Sequence, residues 1–441
     1  MNFYRNKAQN MNKSLCCLAA FLALTTIGAS AQSGSNSPYS QFGLGDLAGQ
    51  TVSQNKGMGG VGYGFRRGNE VNPMNPASYS SVDSLSFIFD AGVSGQITQF
   101  REKQEKLNAR SGGFDYVVGS FRLIKNVGVT FGILPYSNIG YSYHSKEVLY
   151  DVDATVRTTH SGSGGLNQLF LGAGWRIFKP LSIGFNFAYL WGSNERSVAT
   201  SSTSDVNTLT KTYRTSVNNY KLDIGLQFVQ PLSKRDVMTL GVVVSPGHNT
   251  KADPECIITN RKITTGKTDS LQYELQDAIE LPWAYGVGLA YQHGASFRAG
   301  VDYQLQKWGN IMMPEFIDEN EGRGRYELKS GLLKDLHRVN VGAEWTPNAN
   351  SSKFFNRIRY RLGAGYATPY YYINDSDGPK EYHVSLGFGI PILNNYNHRS
   401  ILNISAEWQR RSATNLVKEN TFRINIGLTF NERWFAKWKV D

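Results

Sequence analysis

Three observations predict an all-β fold, a transmembrane antiparallel β-barrel of about 14 strands with an N-terminal plug inside the barrel. They are a removable export signal, a long series of alternating apolar and polar segments, and connections that alternate between tight and long along most of the chain, a contrast that weakens after 347. The alternating segments lie at 84–99, 114–123, 126–135, 165–177, 181–192, 220–230, 236–245, 282–292, 296–306, 336–346, 356–367, 381–390, 400–410 and 421–430. Most have about 10–13 residues, enough to cross a bilayer at a tilt near 45°, whereas a soluble strand averages about 5–6. A soluble sandwich or propeller would keep a polar face too, but would not combine long strands with alternating connection lengths.

The export signal comes first. Arg5, Lys7 and Lys13 form a basic region, Leu15 to Leu24 an apolar one, and Ala29-Ser30-Ala31 the small-residue cleavage site, giving a signal peptide at 1–31. Ten apolar residues reach only about 15 Å as a helix, half a bilayer core, so this is no membrane anchor. No apolar run of 18 residues occurs anywhere, which excludes a helical membrane protein, and the 12% aromatic content excludes disorder. Cleavage leaves Cys256 as the single thiol, so no internal disulfide holds the fold. The 46 basic and 35 acidic residues give +11, and losing the three basic residues of the signal leaves +8.

Residues 32–80 lack sustained alternation and are rich in Gly, Ser, Asn and Pro, with the run Gly57-Met58-Gly59-Gly60-Val61-Gly62. Phe42, Leu44, Leu47, Val52, Tyr63 and Phe65 are interleaved among them and need burial, which predicts a plug folded into the barrel mouth. A flexible periplasmic leader is the alternative.

The barrel itself occupies 81–431. Leu85, Phe87, Phe89, Ala91 and Val93 share one face of the first strand, and Ile88 breaks the polar face once. The fifth strand sets Leu181, Ile183, Phe185, Phe187, Tyr189 and Trp191 against Ser182, Gly184, Asn186 and Ala188. Tight connections fall near Ile124-Lys125, Phe178-Lys179-Pro180, Ser233-Lys234-Arg235 and His293-Gly294-Ala295, and long ones at 100–113, 136–164, 193–219, 246–281 and 307–335. Short periplasmic turns, long outer loops and an even strand count place both termini in the periplasm of a Gram-negative outer membrane. Trp175, Trp191, Trp283, Trp345 and Trp408 sit near strand ends on the apolar face, with Trp308 just beyond one, as expected of a headgroup-level aromatic belt. Trp434 and Trp438, with Arg433, Lys437 and Lys439, mark 432–441 as a periplasmic C-terminal tail.

Charges on the other face must point inward, because Arg on the lipid side costs about 2–4 kcal/mol at the midplane. Arg298, Asp302, Arg338, Glu344, Arg359, Arg361, Glu407 and Arg423 are therefore expected to line the lumen. A paired network holding the plug is one role for them, and direct ligand contact is the other.

Little in the chain suggests chemistry. The seven histidines are scattered without metal-site spacing, no phosphate-cradling loop occurs, and Gly43-Leu44-Gly45 lacks the context of a dinucleotide site. His160-Ser161 reads as a chance neighbour pair in a Ser-rich loop. No cofactor, metal or catalytic residue is expected. The positive charge suits membrane lipid and lipopolysaccharide, not nucleic acid.

Several short motifs resemble those of the FadL-type outer-membrane transporters of hydrophobic compounds. Asn75-Pro76-Ala77 is similar to that family's plug motif, and Leu134-Pro135-Tyr136, Leu281-Pro282 and Val301-Asp302-Tyr303 with Trp308 are similar to its strand-end patterns. The ending beyond the last strand, Ser37-Pro38-Tyr39-Ser40 and Asn72-Pro73 depart from it. The resemblance implies fourteen strands, an N-terminal plug, and passive uptake of a hydrophobic small-molecule ligand such as a long-chain fatty acid. It also implies a sideways exit beside the third strand, where Gly128, Gly132 and Pro135 would weaken pairing; ordinary barrel curvature also uses glycine. Uptake is thus the first expectation; the alternative is a non-transporting barrel of the same fold acting as a shuttle or a subunit of an outer-membrane secretion or barrel-assembly complex, with other envelope proteins as partners.

Overall fold

The computed structural model describes residues 34–149, 154–202, 207–320, 323–392 and 400–433. The expected signal at 1–31, and 434–441 of the expected tail, lie outside the described residues.

Each of the fourteen alternating segments forms a strand. They are β1 (Ser86–Glu102), β2 (Glu105–Ile124), β3 (Val127–Leu149), β4 (Ala154–Arg176), β5 (Leu181–Ser202), β6 (Thr208–Pro231) and β7 (Asp236–Ser245). The second half comprises β8 (Ala284–His293), β9 (Phe297–Gln306), β10 (Leu336–Trp345), β11 (Arg359–Ala367), β12 (Lys380–Ile392), β13 (Ser400–Ser412) and β14 (Lys418–Arg433). Every strand pairs antiparallel with its sequence neighbours, and β1 pairs with β14 from Ser86↔Arg433 to Arg101↔Lys418, which closes the cylinder. Closure leaves no sheet edge at the seam for lipid to meet.

Alternation along β5 sorts its side chains. Phe185, Phe187 and Tyr189 are exposed, while Ser182, Asn186, Ala188 and Leu190 are buried. On β14, Phe422, Ile424, Ile426 and Phe430 face out, and Thr421, Asn425, Thr429 and Asn431 face in. An exposed belt this apolar is stable only against hydrocarbon, so the barrel spans a membrane by strands. Trp175, Trp283, Trp345 and Trp408 belong to that exposed surface. Trp308 does not: it is fully buried, its indole N–H donates to Gln306 Oε1 at 2.8 Å, and its ring meets Tyr370 at 5.0 Å.

The expected long loops are in large part strand. β1 and β2 run up to a two-residue turn at Lys103-Gln104, so 100–113 is ribbon, and most of 136–164 and 193–219 continues β3 to β6. The ribbon grows sideways through Glu255–Arg261, which pairs with β6, and Thr268–Glu274 beyond it. A separate hairpin, Met313–Asn320 with Arg323–Lys329, packs Phe316 and Tyr326 on Cys256 and Ile258.

Residues 34–82 run inside the ring. Added Cβ atoms on strand glycines would strike this segment on one wall after another: Tyr79 from Gly128, Pro76 from Gly184, Tyr63 from Gly241, Met58 from Gly342, Ser53 from Gly427. A segment that touches so many strands of a closed cylinder can only be within it. It explains Ile88, the apolar residue on a polar face, which is buried against Val52, Val71 and Tyr79.

Candidate functional site

The inner segment has little regular structure: helical turns at Pro38–Gln41, Ser53–Lys56 and Pro76–Ser81, and a two-residue strand at Asp46–Leu47. Its backbone polar groups must therefore be met by the wall. Asp302 Oδ2 accepts the Gly62 and Tyr63 N–H groups at 2.6 and 3.0 Å. Gln227 Nε2 donates to the Tyr63 and Phe65 carbonyls.

Asn75, Pro76 and Ala77 form the foot of this segment. Asn75 Oδ1 accepts the Ala77 N–H at 3.1 Å and caps Pro76–Ser81, while its Nδ2 donates to the Tyr63 and Leu226 carbonyls at 2.9 and 3.2 Å. The foot stands on a bare patch of wall where Gly128, Gly174, Gly184 and Gly225 are successive cross-strand partners on β3 to β6. A second patch, Gly300, Gly342 and Gly363 on β9 to β11, seats the neighbourhood of Met58 and Gly59. At Gly128, Gly174, Gly184, Gly342 and Gly363 glycine is required because the backbone of the inner segment occupies the space a Cβ would need.

Two residues along the same three strands from the second patch lies a buried ion network. Glu70 accepts Arg298 Nη1 at 2.8 Å, Arg67 Nη1 at 3.1 Å and Arg359 Nη1. Glu344 accepts Arg361 Nε at 2.7 Å, Arg298 Nη2 at 2.9 Å and Arg67 Nη1 at 3.1 Å. The Arg361 Nη1 donates to Asn403 Oδ1 at 2.6 Å, and Arg298 lies over the Phe65 ring at 5.2 Å. Burial pushes the Glu70 carboxyl up, but Arg298, Arg67 and Arg359 outweigh it and hold it at about 2. Two carboxylates from different parts of the chain thus tie the inner segment to β9, β10 and β11.

The remaining expected lumenal charges sit higher. Arg423 pairs with Glu407 at 3.4 Å and donates to Gln96 at 2.8 Å. Arg338 lines a cavity of about 310 Å³ together with Asp302, Glu381, Arg411 and Glu407. Arg411 joins Asp46 (2.9 Å) of the inner segment to Glu381 (3.0 Å), and Glu419 accepts the Ser37 hydroxyl at 2.6 Å. Above the cavity an apolar roof of Tyr39, Leu44, Leu166, Trp308, Tyr370 and Tyr371, among others, spans the end with the long connections.

Gly128, Gly132 and Pro135 are separated in role by the structure. Gly128 carries the Tyr79 carbonyl of the foot, and Gly132 packs on Val117 and Val118 of the adjacent β2. Pairing of β2 with β3 stops at Val117↔Ile133, and Pro135 stands just past that point beside a bulge at Tyr136. Beyond it the β3 edge is met by the inner segment: Asp46↔Asn138 and Leu47↔Ser137, with the Ala48 N–H on the Tyr136 carbonyl at 2.9 Å. Phe114 of β2 and Tyr136 of β3 both line the cavity.

Glu70 was missing from the expected lumenal set, although a signal for it exists. That set has five arginines and three carboxylates, and Glu70 is the single acidic residue between Asp46 and Asp83. The glycine patches also went unread, since a glycine in a strand does not say which face needs the space.

The sequence pattern of the BamG family matches residues 11–441. No curated protein sequence matches the chain. Among solved structures, the toluene transporter TodX of P. putida aligns with a TM-score of 0.61 and 14% identity, over 89% of this chain and 100% of that one. The toluene transporter TbuX of Ralstonia pickettii gives 0.58 and 13%, over 88% and 99%. A FadL homologue of Pseudomonas aeruginosa gives 0.57 and 12%, over 88% and 99%. At such identity these likenesses speak for the fold.

Proposed function

The chain belongs to the BamG family, and we propose that it is a closed, non-conducting barrel serving as a subunit of the outer-membrane barrel-assembly machinery. The clasp on Glu70 and Glu344 carries this reading. It fixes the inner segment to three strands through buried ion pairs, and breaking one such pair costs about 3–5 kcal/mol, too much for a door that opens at each passage. The roof over the lumen and a cavity lined by charged residues are also a poor match to a greasy solute. The match to the BamG family agrees with the assembly reading.

A second reading, passive uptake of a hydrophobic small molecule of the long-chain fatty-acid class, is favoured by the unpaired stretch between β2 and β3. The fold shared with the toluene transporters agrees with it. Under it Gly128, Gly132 and Pro135 border a lateral exit. Under either reading residues 32–80 act as a plug held by Asn75, Pro76 and Ala77, both termini face the periplasm, and the long ribbons stand among lipopolysaccharide.

Immunoprecipitation of the full chain from envelopes solubilised in mild detergent separates the two. The expected result is stoichiometric recovery of the central insertase barrel of the machinery, with proteoliposomes of the chain admitting no more oleate or toluene than protein-free ones. Uptake above that background, without recovered insertase, would replace the first reading by the second.

A further inference from the structure

The inner face of the short-turn rim carries three guanidinium groups from three elements. Arg66 of the inner segment donates to Ser182 Oγ on β5 and Ser80 Oγ, both at 3.1 Å. Arg122 lies near the end of β2, opposite Gly128, and Arg176 ends β4, opposite Ser182. Both point inward, being two residues on from buried Ser120 and from Gly174, which faces the foot. The charge of Arg66 is felt together with that of Arg176, and Arg176 with Arg122. None of the three pairs with a carboxylate among the described residues. That contrasts with Arg67, one residue along, which touches both Glu70 and Glu344.

Clustered, half-buried cations without a counter-charge are costly, and an anion relieves them. A guanidinium fork matches the oxygens of a phosphate better than those of chloride or water. The same sector offers more. Lys125 and Lys179 stand on the turns joining β2 to β3 and β4 to β5, each next to an apolar side chain that is more than half exposed, Ile124 at 63% and Phe178 at 64%. Among the described short connections there are six basic residues (Lys125, Lys179, Lys234, Arg235, Lys353, Arg357) and no acidic one.

We propose that Arg66, Arg122 and Arg176, with Ser80 and Ser182, form a phosphate-binding site whose ligand is the phosphate of a lipid headgroup. The headgroup reaches over the turns past Lys125 and Lys179, and its acyl chains lie outside against Ile124 and Phe178, continuous with the lipid-facing belt. The two hydroxyls hold Arg66 in place, and the arginines of β2 and β4 close on the oxyanion from either side of β3.

Binding of dioctanoyl phosphatidic acid to the full-length protein in dodecyl maltoside tests this, by native mass spectrometry and calorimetry, with dioctanoylglycerol and inorganic phosphate as the other probes. Saturable binding of phosphatidic acid, none of dioctanoylglycerol, and about tenfold or greater weakening in R122Q/R176Q are expected, a loss of one or more charge-assisted contacts. Equal affinity in the wild type and this variant would overturn the site. Inorganic phosphate binding as tightly as phosphatidic acid would overturn the lipid source while leaving the phosphate site standing. Heat-modifiable gel migration reports whether R122Q/R176Q folds. Should it not, the surface variant K125Q/K179Q decides, with about threefold weakening expected and no change counting against the proposal.

Discussion

The two halves of the lumen solve the same packing problem in opposite ways. Near the short turns the wall is stripped to glycine, the backbone of residues 57–80 lies directly on it, and Glu70 and Glu344 are buried between arginines. Near the long connections the wall keeps full polar side chains, which stand around a cavity and reach the inner segment through side-chain contacts such as those to Asp46 and Ser37. Close approach sets backbone on backbone, and long side chains leave a cavity of about 310 Å³. The same strands therefore carry a bolt at one end and a chamber at the other.

The sharpest way to break this contrast is to remove one carboxylate from each half. E70Q leaves Arg298 and Arg359 buried with a lost partner and is expected to cost about 3–5 kcal/mol, whereas E407Q at the cavity is expected to cost less than about 1 kcal/mol. Midpoints of the heat-modifiable gel shift in a denaturant series would rank them, and equal midpoints would erase the distinction between bolt and chamber. Next in size is added bulk on the wall. G184V drives a side chain into Pro76 and Ala77 and is expected to cost about 1–3 kcal/mol, while G95V, with open space around it, should stay within about 0.5 kcal/mol.

Acid probes the bolt without mutation. The folded Glu70 carboxyl, at about 2, lies below the ordinary value of about 4.3. Its contribution is therefore complete above about pH 4.3 and lost as pH falls towards 2. The wild type should lose more stability than E70Q between pH 4.5 and 2, and parallel curves would place the stabilising charge elsewhere. The smallest effect is at the cap: N75A removes the acceptor for the Ala77 N–H and should cost about 0.5–2 kcal/mol in the same gel assay.

Strand order and closure were legible because lipid forces every second residue to be apolar, so Phe185-Phe187-Tyr189 or Ile424-Ile426 could mean little else. The ribbons above the membrane were not, since both of their faces meet water and the alternation that marks a strand disappears at 100–113 and 193–219. Inward placement of Arg298, Asp302, Glu344 and Arg361 followed from the cost of charge in hydrocarbon. Their partners did not follow, because pairing is set by which residue of an irregular segment arrives opposite them. Asp302 is instructive. It faces in as expected, yet it holds two backbone N–H groups and no arginine. Trp308 erred in the other direction, an indole near a strand end that serves the roof instead of the headgroups.

One contact carries a consequence for biogenesis. Ser37 and Glu419 are hydrogen-bonded across 382 residues of sequence, so the earliest part of the folded chain is secured by its latest strand. That contact can form only once the final stave is in place, so the seating of the earliest residues is completed late, as very long-range topology requires, and until then an incomplete cylinder exposes raw hydrogen-bonding edge.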